Sequence, residues 1–157
     1  MGKGVFGGRD PSGRVRGTGE GEHAMNDPNA SVVHHISVSS HAPATARQAV
    51  REDVSRTTGK EKLADAQLVA SELAQNVVRH SSLGPDDEFS IEITVGVRTI
   101  RIVVEDMGSG FSRDELLPPS EDPWSGRGLR VVDAVSSRWG AERSSAGGTM
   151  AWAEIDT

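Results

Sequence analysis

The chain has no cysteine and no tyrosine. Without Cys, a disulfide framework, a zinc–thiolate site and a cysteine nucleophile are all excluded. Aromatic residues are few, three Trp and three Phe, so a stacking platform for single-stranded nucleic acid is hard to assemble. Positive charge is not in excess either. Seventeen Lys and Arg against 23 Asp and Glu give a formal net charge of −6 and a pI near 5.3. That balance disfavours direct nucleic-acid binding, because phosphate neutralisation needs a clustered basic surface. No run approaches the roughly 20 apolar residues that span a bilayer, and the N-terminus lacks a signal-peptide core. The expectation is a cytoplasmic protein with no membrane association.

What is present begins with length: 157 residues suit one domain with a real core. Eight of the 18 glycines fall in residues 1–30, among Arg, Ser, Glu and Asp. Such a segment buries too little apolar surface to offset its ordering entropy, so 1–30 is expected to be disordered, with the folded domain at 31–157. Met25, just before the first patterned stretch, is a candidate alternative start.

From Ser31 the texture changes. Val32 to Val38 is β-prone, and Pro43 opens a helix expected to run to about Thr57. Ala66, Val69, Leu73 and Val77 recur at helical spacing and predict a second helix over 65–80. Phe89, Ile91, Ile93, Val95 and Val97 alternate as a half-buried strand, and Ile100, Ile102 and Val104 form the next after a turn at Arg98-Thr99. Residues 112–125 carry Pro118, Pro119 and Pro123 and read as a loop. A third helix is expected over 128–138, then a closing hairpin with strands at 139–143 and 149–155. Trp139 and Trp152 are expected in the core. The order β-α-α-β-β-loop-α-β-β implies an α+β sandwich with its helices on one sheet face.

Three segments are unusual. In Glu72-Leu73-Ala74-Gln75-Asn76-Val77-Val78-Arg79-His80, about 100° per residue puts Glu72, Asn76 and Arg79 within about 60° of one another. That strip lies beside the apolar stripe of Val69, Leu73 and Val77. An amide oxygen suits a hard cation and a nearby carboxylate can accept a proton; an amphipathic helix with a solvated face has the same pattern. In Asp106-Met107-Gly108-Ser109-Gly110, a carboxylate at a strand end precedes glycines that allow close approach of a flat ligand, or simply satisfy a turn. Gly126-Arg127-Gly128-Leu129 leads into a helix whose first N–H groups favour phosphate, or is an ordinary loop-to-helix junction. His34, His35 and His41 lie near one another in sequence, but without Cys or close carboxylates they are not expected to hold a metal.

The order and spacing of these segments resemble the GHKL ATPase superfamily. Glu72-Leu73-x-x-Asn76-x-x-x-His80 matches its N box, Asp106-x-Gly108-x-Gly110 its G1 box and Gly126-x-Gly128-Leu129 its G2 box. Gly147-Gly148-Thr149 is similar to its final Gly-Thr element. More narrowly, the Ser-Glu-Leu-x-x-Asn run, Arg127 to Ala134 and Arg138-Trp139-Gly140 resemble the anti-sigma factor serine/threonine kinases. Within these residues no dimerisation and phosphoacceptor helix precedes the domain, so a sensor histidine kinase is not expected.

The resemblance implies a Bergerat-type two-layer sandwich with a mixed, mostly antiparallel sheet, ATP as ligand and Mg²⁺ as cofactor. Asn76 would coordinate the Mg²⁺ and Glu72 would be the general base. Asp106 would read the adenine amino group, Gly108 and Gly110 would let adenine and ribose pack close, and Thr149 would support the base. Gly126 and Gly128 would anchor a lid over 112–125. Arg79 and Arg127 would meet phosphate charge, with His80 and Leu129 completing the two boxes. Two departures stand out: Val77 where Ala is commoner, and no Arg immediately before the lid glycines. The implied activity is transfer of the ATP γ-phosphoryl to Ser or Thr of an anti-anti-sigma protein, with a sigma factor sequestered as second partner. The alternative is an ATP-binding interaction module that transfers nothing. Homodimerisation is common among such proteins, and the first strand is a candidate edge for it.

Overall fold

Phe89, Ile91 and Ile93, then Ile100, Ile102 and Val104, build two neighbouring strands in which every second side chain is buried. They are β2 (Glu88–Val95) and β3 (Thr99–Asp106) of a computed structural model that describes residues 30–107, 127–145 and 147–157. Before them come β1 (Ala30–Ser37), α1 (Ala42–Val54) and α2 (Lys60–His80). After them come α3 (Arg127–Val135), β4 (Arg138–Arg143) and β5 (Thr149–Asp156).

The sheet order is β1-β2-β3-β5-β4, and all four ladders are antiparallel. The α+β sandwich is as expected. The parallel pairing that a mixed sheet allows is absent among the described residues. Helix α1 lies over β1 and β2, α2 over β3 and β5, and α3 packs on α2 and β4. The register sets one row across the helix side: Val32, Ile93, Ile102, Ala153 and Trp139. All but Val32, on the edge strand, are buried there with Val50, Val69, Leu73, Leu129 and Val132. Each large side chain removed from water in this way stabilises the fold by about 1.5–3 kcal/mol. No helix among the described residues is long and apolar enough to cross a membrane.

Several boundaries differ from the sequence expectation, each for a local reason. Strand β1 takes in Ala30, which the sequence placed in the disordered segment. Helix α1 stops at Val54 rather than Thr57, where Thr57 N and Oγ1 both donate to the Val54 carbonyl at 3.1 Å. Helix α2 starts at Lys60 rather than Asp65, because Lys60 to Ala64 are all good helix formers. Strand β2 ends at Val95. Gly96 N donates to Thr99 O at 2.8 Å, and Val97 stands 81% exposed in that turn. Helix α3 ends at Val135, because Ser137 N donates to Glu154 O at 2.8 Å and draws the chain into β4. Of 1–30, only Ala30 is among the described residues.

Trp139 is in the core, its Nε1 donating to Asp133 Oδ1 at 2.7 Å. Trp152 is not. Odd and even positions of β5 alternate, and Trp152 falls on the side away from the helices, in the row Val33, Glu92, Val103, Trp152, Gly140. There the Arg101 guanidinium sits 4.6 Å from its ring centroid, a cation–π contact. Arg101 and Arg138 both bond the Glu154 carboxylate, at 2.5 Å each. Burial works against the charge on Glu154, but the hydrogen bonds and charges of Arg138 and then Arg101 outweigh it and hold the carboxyl below its usual 4.5. A carboxyl depressed on folding adds stability above its unfolded value and loses it as pH falls through the folded one. Glu154→Gln is therefore expected to lower stability at pH 7 by about 1 kcal/mol. In urea titrations, the difference should close as pH drops below 4.5. A difference that grows on acidification would contradict this.

Candidate functional site

Helix α2 buries Ala66, Val69, Ala70, Leu73, Ala74 and Val77 at three- and four-residue spacing, which fixes its rotation against the sheet. Glu72 and Asn76, one turn apart, are half-buried at the margin of that stripe, and Arg79 and His80 are exposed at the helix C-terminus. The carboxylate of Glu72 lies against the first turn of α3. A β-carbon at Gly128 would overlap Glu72 Oε2 and come within 3.5 Å of its Cδ. The ion pairs formed among the described residues are His34–Asp53, Lys62–Asp65, Arg101–Glu154 and Arg138–Glu154, and Glu72 is in none of them.

Asp106 ends the buried row Ile100, Ile102, Val104 and is itself only 3% exposed. A carboxylate in that position is costly unless polar groups meet it. Directly across the ladder is Thr149, 2% exposed. The β4–β5 loop brings them together. Gly147 takes φ +99°, in the left-handed region that favours glycine, and Ser144 N donates to Gly148 O at 2.9 Å. A β-carbon at Gly148 would fall on the Asp106 carbonyl oxygen and stand 2.8 Å from Met107 Cα. Gly148 is thus what lets the end of β3 touch the start of β5. Ser144 Oγ donates to Glu105 Oε1 and ties the same loop down. The sequence marked Gly147-Gly148-Thr149 as an element, but gave neither this contact nor the Ser144–Glu105 bond; the only signal was a glycine pair before a strand.

Two clusters result, Glu72–Asn76–Gly128 and Asp106–Gly148–Thr149. Helix α2 packs against α3, β3 and β5, the elements that hold Gly128, Asp106 and Thr149. Arg127 is exposed at the start of α3, while Leu129 places its side chain in the core at 3% exposure. Gly108, Gly110, Gly126 and the loop over 112–125 lie outside the described residues. His34 Nε2 is taken up by Asp53 Oδ2 at 2.8 Å, which ties β1 to α1.

Both glycine positions are filled by the protein's own atoms, Gly128 by the Glu72 carboxylate and Gly148 by the main chain of Asp106 and Met107. Among the described residues no group of three or more His, Cys, Asp or Glu is placed to hold a metal ion. Asn76 offers one neutral oxygen. That donor set suits Mg²⁺, which keeps water and phosphate oxygens around it and takes few protein ligands.

A family model described as the histidine kinase-like ATPase domain matches residues 37–155. Among solved structures, the chain resembles the RsbU and RsbW domains of Rv1364c from Mycobacterium tuberculosis, with a TM-score of 0.58 and 20% identity. The match covers 80% of this chain and 33% of that one, so the chain spans about a third of the length of that relative. At this identity the likeness is one of fold. Comparison with curated proteins gives no match.

Proposed function

The chain belongs to the histidine kinase-like ATPase domain family, and from that premise we propose that it is an ATP-binding regulator that passes the γ-phosphoryl group to Ser or Thr of a partner protein. The observation that carries the ATP reading is the buried Asp106, at the end of a strand whose main chain abuts Gly148 and pairs with Thr149. A carboxylate accepts a hydrogen bond from the exocyclic amine of adenine; Thr149 supports the ring, and Gly108 and Gly110 let it pack close. Arg79 and Arg127 meet phosphate charge, and backbone N–H groups at the start of α3 add to it.

Asn76 would hold Mg²⁺, whose contribution is to neutralise charge on the phosphates. In the transfer step, the hydroxyl oxygen of the acceptor bonds to the γ-phosphorus and its proton passes to the Glu72 carboxylate. The bond from that phosphorus to the bridging oxygen breaks, and ADP leaves with the electron pair. Positioning and charge carry most of such a reaction. The partners that fit this reading are an anti-anti-sigma protein as acceptor and a sigma factor that is sequestered. A second copy of the chain would add along the outer edge of β1, where Val32 and Val33 are 42% and 53% exposed.

Nucleotide choice tests the proposal. Guanine presents a carbonyl where adenine presents its amine, and would set an acceptor against Asp106. Competition titrations are expected to show ATP binding about 10-fold or more tighter than GTP. Equal affinities would remove Asp106 from base recognition.

A further inference from the structure

We propose that Gly128 is a positioning residue for Glu72: the missing side chain at 128 is the space in which the Glu72 carboxylate stands. The inference rests on the proposal that Glu72 is the general base, and adds what holds that base in place. Gly128 lies on the same stripe of α3 as Val132 and Val135, at i, i+4 and i+7, the face that packs on α2. A β-carbon there would overlap Glu72 Oε2, with Glu72 Cδ at 3.5 Å and Cβ at 3.7 Å. The Glu72 side chain therefore runs alongside the bare α-carbon of Gly128, where the two helices pack against each other with Leu73 and Val132 both in the core.

The conflict that a side chain at 128 would create is with the far end of a flexible carboxylate, not with backbone. Gly128→Ala should therefore leave the fold intact and move only the carboxylate. The role is distinct from the helix-start N–H groups, which the substitution keeps. A displacement of the base by about 1 Å is enough to cost on the order of 10²-fold in rate.

The test is a cycle read in single-turnover release of phosphate from Mg·[γ-³²P]ATP, with water as acceptor. In the parent chain Gly128→Ala is expected to slow release by about 10²-fold. On a Glu72→Asp background, whose carboxylate is one methylene shorter and withdraws from the contact, the same change should cost less than about 3-fold. A second arm needs no turnover. Alanine is a better helix former than glycine, so with Glu72→Ala present Gly128→Ala should raise Tm by roughly 2–4 °C, a gain cancelled or reversed when Glu72 is intact. If the parent releases phosphate and Glu72→Ala abolishes it, but the Gly128→Ala loss is absent or equally large on the Glu72→Asp background, this inference is overturned and the base survives. If the parent releases none while the Tm coupling is present, the contact is real, the base reading fails, and the positioning role fails with it.

Discussion

Replacing Glu72 by alanine is expected to slow transfer of the ATP γ-phosphoryl by ~10²–10⁴-fold while ATP affinity stays within about 3-fold. The separation of the two effects follows from where Glu72 stands. Its neighbours in sequence, Leu73 and Ala74, are buried and carry the packing of α2, whereas Glu72 is half-buried at the margin of the apolar stripe. Truncating it leaves the core cluster whole. It also leaves Asp106, Gly148 and Thr149 untouched, and on this account they supply the selectivity for the base. What is lost is the only group proposed to take the proton of the attacking hydroxyl. Single-turnover transfer and equilibrium binding, measured on the same two proteins, check both halves. An unchanged transfer rate, or a parent that binds ATP and transfers nothing, would favour an interaction module for which ATP is a structural or signalling ligand.

Much of the fold was legible because its signals are local and periodic. The Val69–Leu73–Val77 spacing identified α2, and the alternation from Phe89 to Val104 identified the central hairpin together with its buried face. Pattern and structure part where a second principle competes. Val97 continues the alternation perfectly, but a turn closed by Gly96 and Thr99 claims it. Lys60 to Ala64 carry little apolar signal, so periodicity missed a turn of helix that intrinsic propensity supplies. Trp152 is large and apolar, yet parity along β5 puts it on the open face beneath Arg101. Within the site, residue types and order were legible: a carboxylate and an amide one turn apart, an Asp at a strand end, glycines before a helix. The contacts were not. That Glu72 meets Gly128 depends on how α2 packs on α3, and that Asp106 faces Thr149 depends on the register of β3 with β5. Both are tertiary facts, between segments far apart in the chain.

The second large effect is expected at Asp106. Asparagine keeps the shape of the side chain at a position that is 3% exposed, so core packing and the pairing with Thr149 survive Asp106→Asn. The charge is lost, however, and half of the new amide is a donor set against the donor of adenine. Losing a hydrogen bond to a charged group in a buried site costs ~1–3 kcal/mol, or about 5- to 150-fold in affinity. Thermal unfolding of the variant within a few degrees of the parent would show that the effect is local. The most direct measurement of that site is titration calorimetry of ATP, with Mg²⁺ present, into the parent chain and into Asp106→Asn side by side. The expected result is saturable binding to the parent that weakens by that factor in the variant. No binding to the parent at a protein concentration of about 100 μM, or binding that the substitution leaves unchanged, would contradict a nucleotide site built on Asp106.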